Sequence, residues 1–310
     1  MAITVIRAGM LTTVQDLGRR GHRAAGVPVG GAMDAFALRL ANLLAGNAEE
    51  AAALEFTLLG PELEFASDTT VAVGGGDFGA LPLWEPVQVR AGERVKFSAA
   101  RTGCRGYLAI AGGLDVPVVL GGRGTDLRAA LGGFEGRALR DGDVLRAGEI
   151  ARRVAGRWHI DERILPAYSA GPTVRVVRGA QADEFGDTLL TAEFKVTPKS
   201  DRMGVRLAGP AVARDNAREL VSTTVAPGTV QVPPDGQPIV LMADAQTIGG
   251  YPQIAHVVSA DLPLVAQLRP GDAMRFREVT LAEAHELVRV RERALAMLRE
   301  GLAEKFHANH

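Results

Sequence analysis

Residues 231–252 read QVPPDGQPIVLMADAQTIGGYP, which places polar groups and glycines on both sides of one strongly apolar run. Pro233, Pro234, Asp235 and Gly236 predict a turn, because proline presets φ, aspartate bonds its own backbone and glycine accepts a left-handed conformation. The apolar run 239–243 predicts a strand buried on both faces. The segment therefore delivers polar side chains at the end of a core strand.

Two interpretations of this segment stay open from its residues alone. Polar side chains beside turns often cap backbone groups, so the segment can be purely structural. Against that, several hydrogen-bonding side chains lie between Asp244 and Tyr251, and the adjacent glycines Gly249 and Gly250 cost backbone entropy unless a conformation requires them. We treat the segment as a candidate functional site.

Composition bounds the class of protein. The 310 residues are 47% hydrophobic and 23% charged, as expected for a globular chain with room for two domains. Lys and Arg number 35 against 36 Asp and Glu, with no basic stripe, so nucleic acid and anionic membranes are not expected partners. The lone Cys104 excludes an internal disulfide, and no signal peptide or membrane span is read, so a cytoplasmic location is expected.

The pattern along the chain predicts a mainly β protein with a few short helices. Asp34 is the expected N-cap of an early helix, and strand candidates separated by glycine and proline follow from residue 53 onward. Thr280 and Glu283 form a capping box before an apolar helical stripe of Leu287, Val290, Ala294 and Leu298. The strand rhythm breaks near 150–172, which predicts domains at 1–160 and 173–310, the second with the C-terminal helix.

The sequence does not support any of the known nucleotide-binding or metal-binding motifs that we tested. Gly74, Gly76 and Gly79 match the spacing of a dinucleotide fingerprint, but Pro82 and Pro86 stand where the phosphate-binding helix must begin. There is no phosphate loop of the GxxxxGK(S/T) type, and the six histidines are scattered, so no metal site is expected.

Glycine-flanked polar loops are the remaining candidates for chemistry. Arginines suit bidentate capture of a carboxylate or phosphate, and aspartates suit proton transfer or recognition of an amide. Taken singly, each is more often a structural ion pair, but together they favour a shared pocket for a small anionic or amide-bearing ligand. The candidates in these loops are Gln15, Asp16, Arg19, Arg105, Arg123, Asp201, Arg202, Asp235, Asp244 and Tyr251.

Read together, the loops resemble the KipA-like family, also called the 5-oxoprolinase C-type subunit or allophanate hydrolase subunit 2, which is similar to part of the carboxyltransferase domain of urea carboxylase. The resemblance covers nearly the whole chain in order. The matching stretches are Thr12-Thr13-Val14-Gln15-Asp16 with Gly18-Arg19, Gly26-Val27-Pro28, Gly31-Ala32-Met33-Asp34, Arg105-Gly106-Tyr107-Leu108-Ala109, Ser200-Asp201-Arg202-Met203-Gly204, Gln231-Val232-Pro233 and Gly249-Gly250-Tyr251-Pro252.

The resemblance implies two cyclophilin-like β-barrel domains and two partners, a KipI-like B-type subunit and an amidohydrolase-like A-type subunit. Such a set is similar to the ATP-dependent 5-oxoprolinase, which opens 5-oxo-L-proline to L-glutamate, and it leaves open which of the subunits binds ATP. No Met-Lys-Met acceptor occurs, so no covalent biotin is expected on this chain. The family often has serines around the position of Arg123, where this chain has Gly122 and Gly124.

Residue roles follow from this resemblance as expectations. The expected catalytic residues are Asp201, Arg202, Asp235, Asp244 and Tyr251, and the expected substrate-binding residues are Gln15, Asp16, Arg19, Arg105, Arg123, Gln231, Thr247, Gly249 and Gly250. Asp244→Ala is expected to abolish activity without unfolding the chain. Two alternatives remain: a biotin-dependent carboxyltransferase subunit that acts on urea or a related amide, and a regulatory KipA-like protein that binds a KipI-like kinase inhibitor.

Overall fold

The computed structural model describes residues 1–150, 160–215 and 219–307, with side chains described up to residue 303. Part of the junction expected at 150–172 therefore lies outside the described residues. Contacts divide the chain into two units. The first consists of Met1–Arg20, Gly30–Leu165 and Arg293–His310, and the second of Gly21–Val29 and Pro166–Glu292. Each unit thus takes a segment from elsewhere in the chain, which the expected division at 160 and 173 did not include.

Among its described residues, the first unit contains nine strands and one α-helix of its own. They are β1 (Ala2–Arg7), β2 (Leu11–Gln15), α1 (Ala35–Leu44), β3 (Ala53–Thr57), β4 (Glu62–Phe65), β5 (Thr69–Asp77), β6 (Pro86–Val89), β7 (Arg94–Lys96), β8 (Thr102–Ile110) and β9 (Val144–Arg146). The strands form a four-stranded sheet in the order β7-β4-β1-β9 and a five-stranded sheet in the order β2-β3-β8-β5-β6. Their apolar faces share one core that includes Phe56 and Leu108.

Helix α1 begins where the sequence predicted. The carboxylate of Asp34 accepts a hydrogen bond from the backbone N–H of Ala37 at 2.9 Å, so it satisfies one of the donors that a helix start leaves open. Phe36, Leu40 and Leu44 are buried and pack against a cluster that includes Tyr107. The helix therefore covers one face of the five-stranded sheet.

The glycine string 74–79 does not form a phosphate-binding turn in this structure. Strand β5 runs through Gly74 and Gly76 to Asp77 and pairs with β8 along this stretch. A Cβ at Gly74 would lie 2.7 Å from the indole of Trp84, so close packing is the reason for glycine here.

The described part of the second unit contains nine strands and three α-helices, the last of which continues into the first unit. They are β10 (Thr173–Arg178), α2 (Thr188–Thr191), β11 (Glu193–Val196), β12 (Gly204–Ala208), β13 (Thr223–Thr224), β14 (Thr229–Gln231), β15 (Ile239–Leu241), β16 (Ile248–Gly249), β17 (Gln253–Val257), α3 (Leu262–Ala266), β18 (Ala273–Glu278) and α4 (Leu281–His307). Seven strands close into a barrel in the order β10-β17-β14-β15-β12-β11-β18. The expectation of a mainly β fold with few short helices and a C-terminal helix is confirmed.

Helix α4 starts with the predicted capping box. The backbone N–H of Thr280 donates to the Glu283 carboxylate at 2.7 Å, and the N–H of Glu283 donates to the Thr280 hydroxyl at 3.2 Å. Leu287 packs within the second unit, whereas Leu295 and Leu302 are buried in the core of the first. Val290, which the apolar stripe placed on the packed face, is 55% exposed. None of the helices among the described residues is long and apolar enough to cross a membrane.

Gly106 supplies a test of packing in the first unit. A Cβ at this position would lie 2.3 Å from the Phe56 ring, in the middle of the core. We expect Gly106→Ala to lower the free energy of unfolding by about 1–3 kcal/mol, because the rings have no room to move apart. Gly186→Ala, where a Cβ meets nothing within 4 Å, is the matched control and should change it by no more than about 0.5 kcal/mol. Equal effects in chemical denaturation would contradict the packing argument.

His256 on β17 makes the stability of the barrel depend on pH. Burial lowers the pKa of its imidazole below the ordinary value of 6.5, and its Nδ1 lies 3.3 Å from the Thr229 hydroxyl. Because the unfolded chain binds a proton more readily than the folded chain, this contribution is complete above the unfolded pKa and is lost as the pH falls through the folded pKa. His256→Gln should flatten the dependence of unfolding free energy on pH below about 6.5. An unchanged slope would show that other groups cause it.

Candidate functional site

A cleft of about 530 Å³ opens beside the barrel of the second unit. One wall is the β11–β12 hairpin, which contributes Lys199 and Arg206. The other wall comes from the segment 231–252, which contributes Gln231, Asp235 and Tyr251. The register of the barrel brings the walls together, because Arg206 on β12 pairs with Ile239 on β15. The cleft therefore contains three of the side chains predicted from the sequence.

The predicted turn 233–236 shapes one edge of this cleft. The N–H of Gly236 donates to the carbonyl of Pro233 at 3.0 Å, and Gly236 has φ +72°. The Asp235 carboxylate accepts from the N–H of Gln237 at 3.0 Å, which leaves its second oxygen for other contacts. The turn is confirmed as the connection between the antiparallel strands β14 and β15. The strand predicted at 239–243 ends earlier, at Leu241.

Gln231, which lines the cleft, packs closely against the backbone of Gly249. Gln231 is only 1% exposed, and its Nε2 donates to the carbonyl of Tyr251 at 3.2 Å. A Cβ on Gly249 would lie 2.9 Å from that Nε2, so a side chain here would displace the amide. Glycine at 249 thus allows a buried amide to border the cleft.

A second cleft of about 730 Å³ lies on the other side of the same turn. Asp235 and Tyr251 line both clefts, and Gly250 lines the second. Its remaining walls are largely apolar and include Val212, Val232 and Pro252. Tyr251 is 47% exposed and borders both clefts, so its side chain is accessible to a ligand in either one.

Arg202 and Asp244 form a buried ion pair. The Nε of Arg202 lies 2.8 Å from Oδ2 of Asp244, and Nη2 lies 3.1 Å from Oδ1. The backbone N–H of Asp244 also donates to the carbonyl of Arg202 at 3.0 Å. The side chains are 6% and 8% exposed and lie outside the walls of both clefts. The arrangement fixes the loop after β15 against the loop before β12.

Asp201 and Thr247 also lie outside the walls of the two clefts. The Asp201 carboxylate accepts from the N–H groups of Met203 and Gly204 at 2.8 and 3.1 Å, the geometry of a structural turn. Thr247 is 7% exposed, and its carbonyl accepts from the N–H of Val225 at 3.0 Å. Their expected roles in catalysis and binding stay predictions.

Gln15, Asp16, Arg19 and Arg123 meet in the first unit. The Asp16 carboxylate accepts from the N–H of Gly18 at 2.8 Å and from the N–H of Arg123. Gln15 donates from Nε2 to the Thr13 hydroxyl at 3.0 Å and to the carbonyl of Thr125 at 3.1 Å. The two stretches that the sequence singled out at 12–19 and 122–125 therefore interlock. Because these residues and the cleft belong to different units, a pocket that they share stays a prediction.

Arg19 is an unusual buried cation within this group. It is 1% exposed, and its Nη2 donates to the carbonyl of Gly124. Its Nε and the Oε1 of Gln15 are buried with no hydrogen-bond partner among the described residues. Arg105, also buried, lies on β8 opposite Thr57 of β3.

A buried polar network, missed by the sequence analysis, supports the same region. Glu55 accepts from the N–H of Met33 and from the Tyr107 hydroxyl, each at 2.8 Å, and the Tyr107 oxygen accepts from the N–H of Asp34 at 2.8 Å. Burial raises the pKa of the Tyr107 hydroxyl well above its ordinary value, and the Glu55 carboxylate raises it further. The motif at 31–34 and the motif at 105–109 are thus joined through Glu55. The available signal for Glu55 in the sequence was a carboxylate within a strand of apolar residues.

Lys199 and Arg206 are cleft residues that the sequence analysis did not select, whereas Gln246 belongs to the segment 231–252 that it did select. Lys199 directly precedes the recognised motif 200–204, and Arg206 is an outward-facing residue of the strand that follows it. Strand alternation around that motif was the available signal. Among the described residues, no group of three or more His, Cys, Asp or Glu side chains is arranged to hold a metal ion.

The family model for the carboxyltransferase domain, subdomain A and B, matches residues 25–278. The chain belongs to this family. It is 41% identical over 292 residues to the C-type subunit of 5-oxoprolinase from Escherichia coli strain K12, covering 91% of this chain and 93% of that protein. It is 40% identical to the C-type subunit of 5-oxoprolinase from Haemophilus influenzae, covering 98% and 99%. The family expected from the loop motifs is confirmed.

Solved structures show the same similarity. The urea carboxylase of Kluyveromyces lactis superposes with a TM-score of 0.90 at 31% identity, over 97% of this chain and 29% of that chain. This carboxyltransferase-domain protein thus corresponds to one part of a larger enzyme in that case and to nearly the whole of the bacterial relatives.

The Arg202–Asp244 pair allows a stability test. Asp244→Ala leaves the buried Arg202 guanidinium without its carboxylate, so we expect a loss of about 3–5 kcal/mol in the free energy of unfolding. The double variant Arg202→Met with Asp244→Leu should recover much of that loss, because it removes both buried charges. Glu286→Ala, which breaks an exposed pair with Arg289, is the control and should cost no more than about 1 kcal/mol. Wild-type stability of Asp244→Ala in urea titrations would contradict this account.

Proposed function

We propose that this chain is the C-type subunit of an ATP-dependent 5-oxoprolinase, which opens 5-oxo-L-proline to L-glutamate together with B-type and A-type subunits. The observation that carries the proposal is 40–41% identity, over more than 90% of both chains, with two proteins that are each named as this subunit of 5-oxoprolinase. Conversion of a cyclic amide requires a site that holds both the ring amide and its substituents. The cleft of the second unit contains amide, carboxylate and hydroxyl side chains that can form these contacts.

The chain's own residues have separable tasks in this proposal. Gln231 presents a buried amide at the cleft, held by its bond to the carbonyl of Tyr251. The Tyr251 hydroxyl can donate to a developing negative charge, and the Asp235 carboxylate can accept a proton from an amide N–H or from water. The Arg202–Asp244 pair positions the loops that carry these groups rather than touching the ligand.

ATP enters the proposal as a co-substrate of the assembly. When bound, it supplies the phosphoryl group that makes an otherwise unreactive lactam carbonyl electrophilic. In this chain β5 continues through Gly74 and Gly76 to Asp77, so the glycine string offers no helix N-terminus for a pyrophosphate. We therefore assign ATP binding to the assembly and to no particular subunit. The proposed partners are the KipI-like and amidohydrolase-like subunits, and the proposed location is the cytoplasm.

A carboxyltransferase acting on urea or a related amide is the second candidate. It is favoured by the match to the carboxyltransferase family and by the TM-score of 0.90 to urea carboxylase. Biotin would then arrive on another protein. A purified complex that consumes urea only when a biotinylated carrier is added would support this candidate over the first.

Reconstitution tests the primary proposal. Co-expression with the neighbouring B-type and A-type subunits should give ATP-dependent formation of glutamate from 5-oxoproline that disappears when this chain is omitted. Tyr251→Phe and Asp235→Asn should each lower kcat/KM at least about tenfold, since each removes a proton donor or acceptor from the cleft. Asp187→Asn, at an exposed carboxylate without a side-chain capping bond, is the control. A stable assembled complex without turnover would overturn the proposal.

A further inference from the structure

Two cations line the cleft of the second unit without a carboxylate partner of their own. Lys199 and Arg206 both border the 530 Å³ cleft, and no acidic side chain among the described residues lies within 4.0 Å of either charge. Most other arginines of the second unit form such pairs, as Arg175 does with Asp261 and Arg214 with Glu184. Within the described ranges, the one acidic residue on the walls of the cleft is Asp235. The cleft therefore carries two positive charges against one negative charge.

The hairpin holds these two residues in place through its backbone. The N–H of Thr197 donates to the carbonyl of Arg206 at 2.9 Å, and the N–H of Ser200 donates to the carbonyl of Thr197 at 3.1 Å. The N–H of Arg206 also donates to the Ser200 hydroxyl at 3.0 Å. Lys199 thus lies in the turn of the β11–β12 hairpin, and Arg206 lies on the returning strand beside it.

The opposite wall offers amide groups. Gln237 uses both ends of its amide on the backbone of Gly209, at 2.9 and 3.3 Å. The side chain of Gln246 is exposed and forms no hydrogen bond with other described residues, and Gln231 uses only its Nε2. The Oε1 of Gln231 and the amide of Gln246 are therefore available to pair with a ligand amide, whose C=O accepts and whose N–H donates.

We propose that this cleft recognises a small ligand that bears both a carboxylate and an amide, with Lys199 and Arg206 as the residues that select for the carboxylate. Arginine matches a carboxylate with two parallel N–H donors, and lysine adds a point charge. Urea is uncharged and would form no ion pair with these two cations. The inference rests on the proposed function, whose substrate 5-oxo-L-proline is such a lactam acid, and it assigns recognition of the carboxylate to these two residues.

Calorimetric titration of the full chain with two lactams tests this selection. 5-Oxo-L-proline should bind, and 2-pyrrolidinone, the same ring without the carboxylate, should bind at least about tenfold more weakly. Lys199→Gln and Arg206→Gln should each weaken binding of 5-oxoproline about tenfold or more and leave the weak binding of 2-pyrrolidinone unchanged. Raising the salt concentration should weaken the binding of 5-oxoproline and leave that of 2-pyrrolidinone unchanged, because charges in a cleft that is open to solvent are screened.

Matched controls separate local recognition from overall charge. Lys195→Gln on β11 and Arg277→Gln on β18 each remove one exposed cation that does not line the cleft, and both should bind 5-oxoproline like the unmodified chain. All four variants should have the same midpoint of thermal unfolding, since all four side chains are exposed. Lys199→Arg, which keeps the charge, should restore most of the affinity.

Any one of several outcomes would overturn the inference. One is equal affinity for the two lactams, and another is unchanged affinity for 5-oxoproline in both cleft variants. A third is that the chain binds ATP but not 5-oxoproline, and that the cleft variants lose the binding of ATP. Absence of 5-oxoproline binding in both the full chain and the co-purified complex would do the same. Selective binding by the chain in a complex without turnover would refute the 5-oxoprolinase proposal alone. Turnover with an unchanged KM in Lys199→Gln and Arg206→Gln would refute the carboxylate assignment alone.

Discussion

Closure of the barrel is the constraint on which the second unit depends. Each of the seven strands has a hydrogen-bonded neighbour on both sides, so the register of one strand fixes the next. Val240 of β15 illustrates this, because it pairs with Val205 on one side and Val230 on the other. Side chains from segments more than thirty residues apart, such as Arg206 and Gln237, therefore face one cleft without any freedom to slip.

Buried polar contacts add specificity to that frame. The Arg202–Asp244 pair links the approach to β12 with the exit from β15 through both side chains and backbone. A buried pair of this kind contributes little net stability compared with apolar residues of the same volume, but it penalises any packing that separates its members. We attribute to it the fixed placement of the loop that leads to Tyr251.

In the first unit, a hydrogen-bond network takes the place of the ion pair as the buried polar contact that adds specificity. Glu55, Tyr107 and the N–H groups of Met33 and Asp34 satisfy one another inside the five-stranded sheet. By contrast, Arg19 and Gln15 each keep one buried polar atom without a partner among the described residues. Such atoms are uncommon in native proteins because each costs desolvation energy, so packing alone does not explain the polar residues around Arg19.

Local signals in the sequence determined the caps, turns and strand content. The Asp34 cap, the capping box of Thr280 and Glu283 and the turn at 233–236 are contacts between residues at most three positions apart, so spacing alone specifies them. The family followed from motifs of the same local kind. Strand pairing, the assignment of α4 to two units and the exposure of Val290 depend on partners distant in sequence. For the same reason Asp235 and Tyr251 could be selected from their own loop, whereas Lys199 and Arg206 joined them only through the register of β12 against β15.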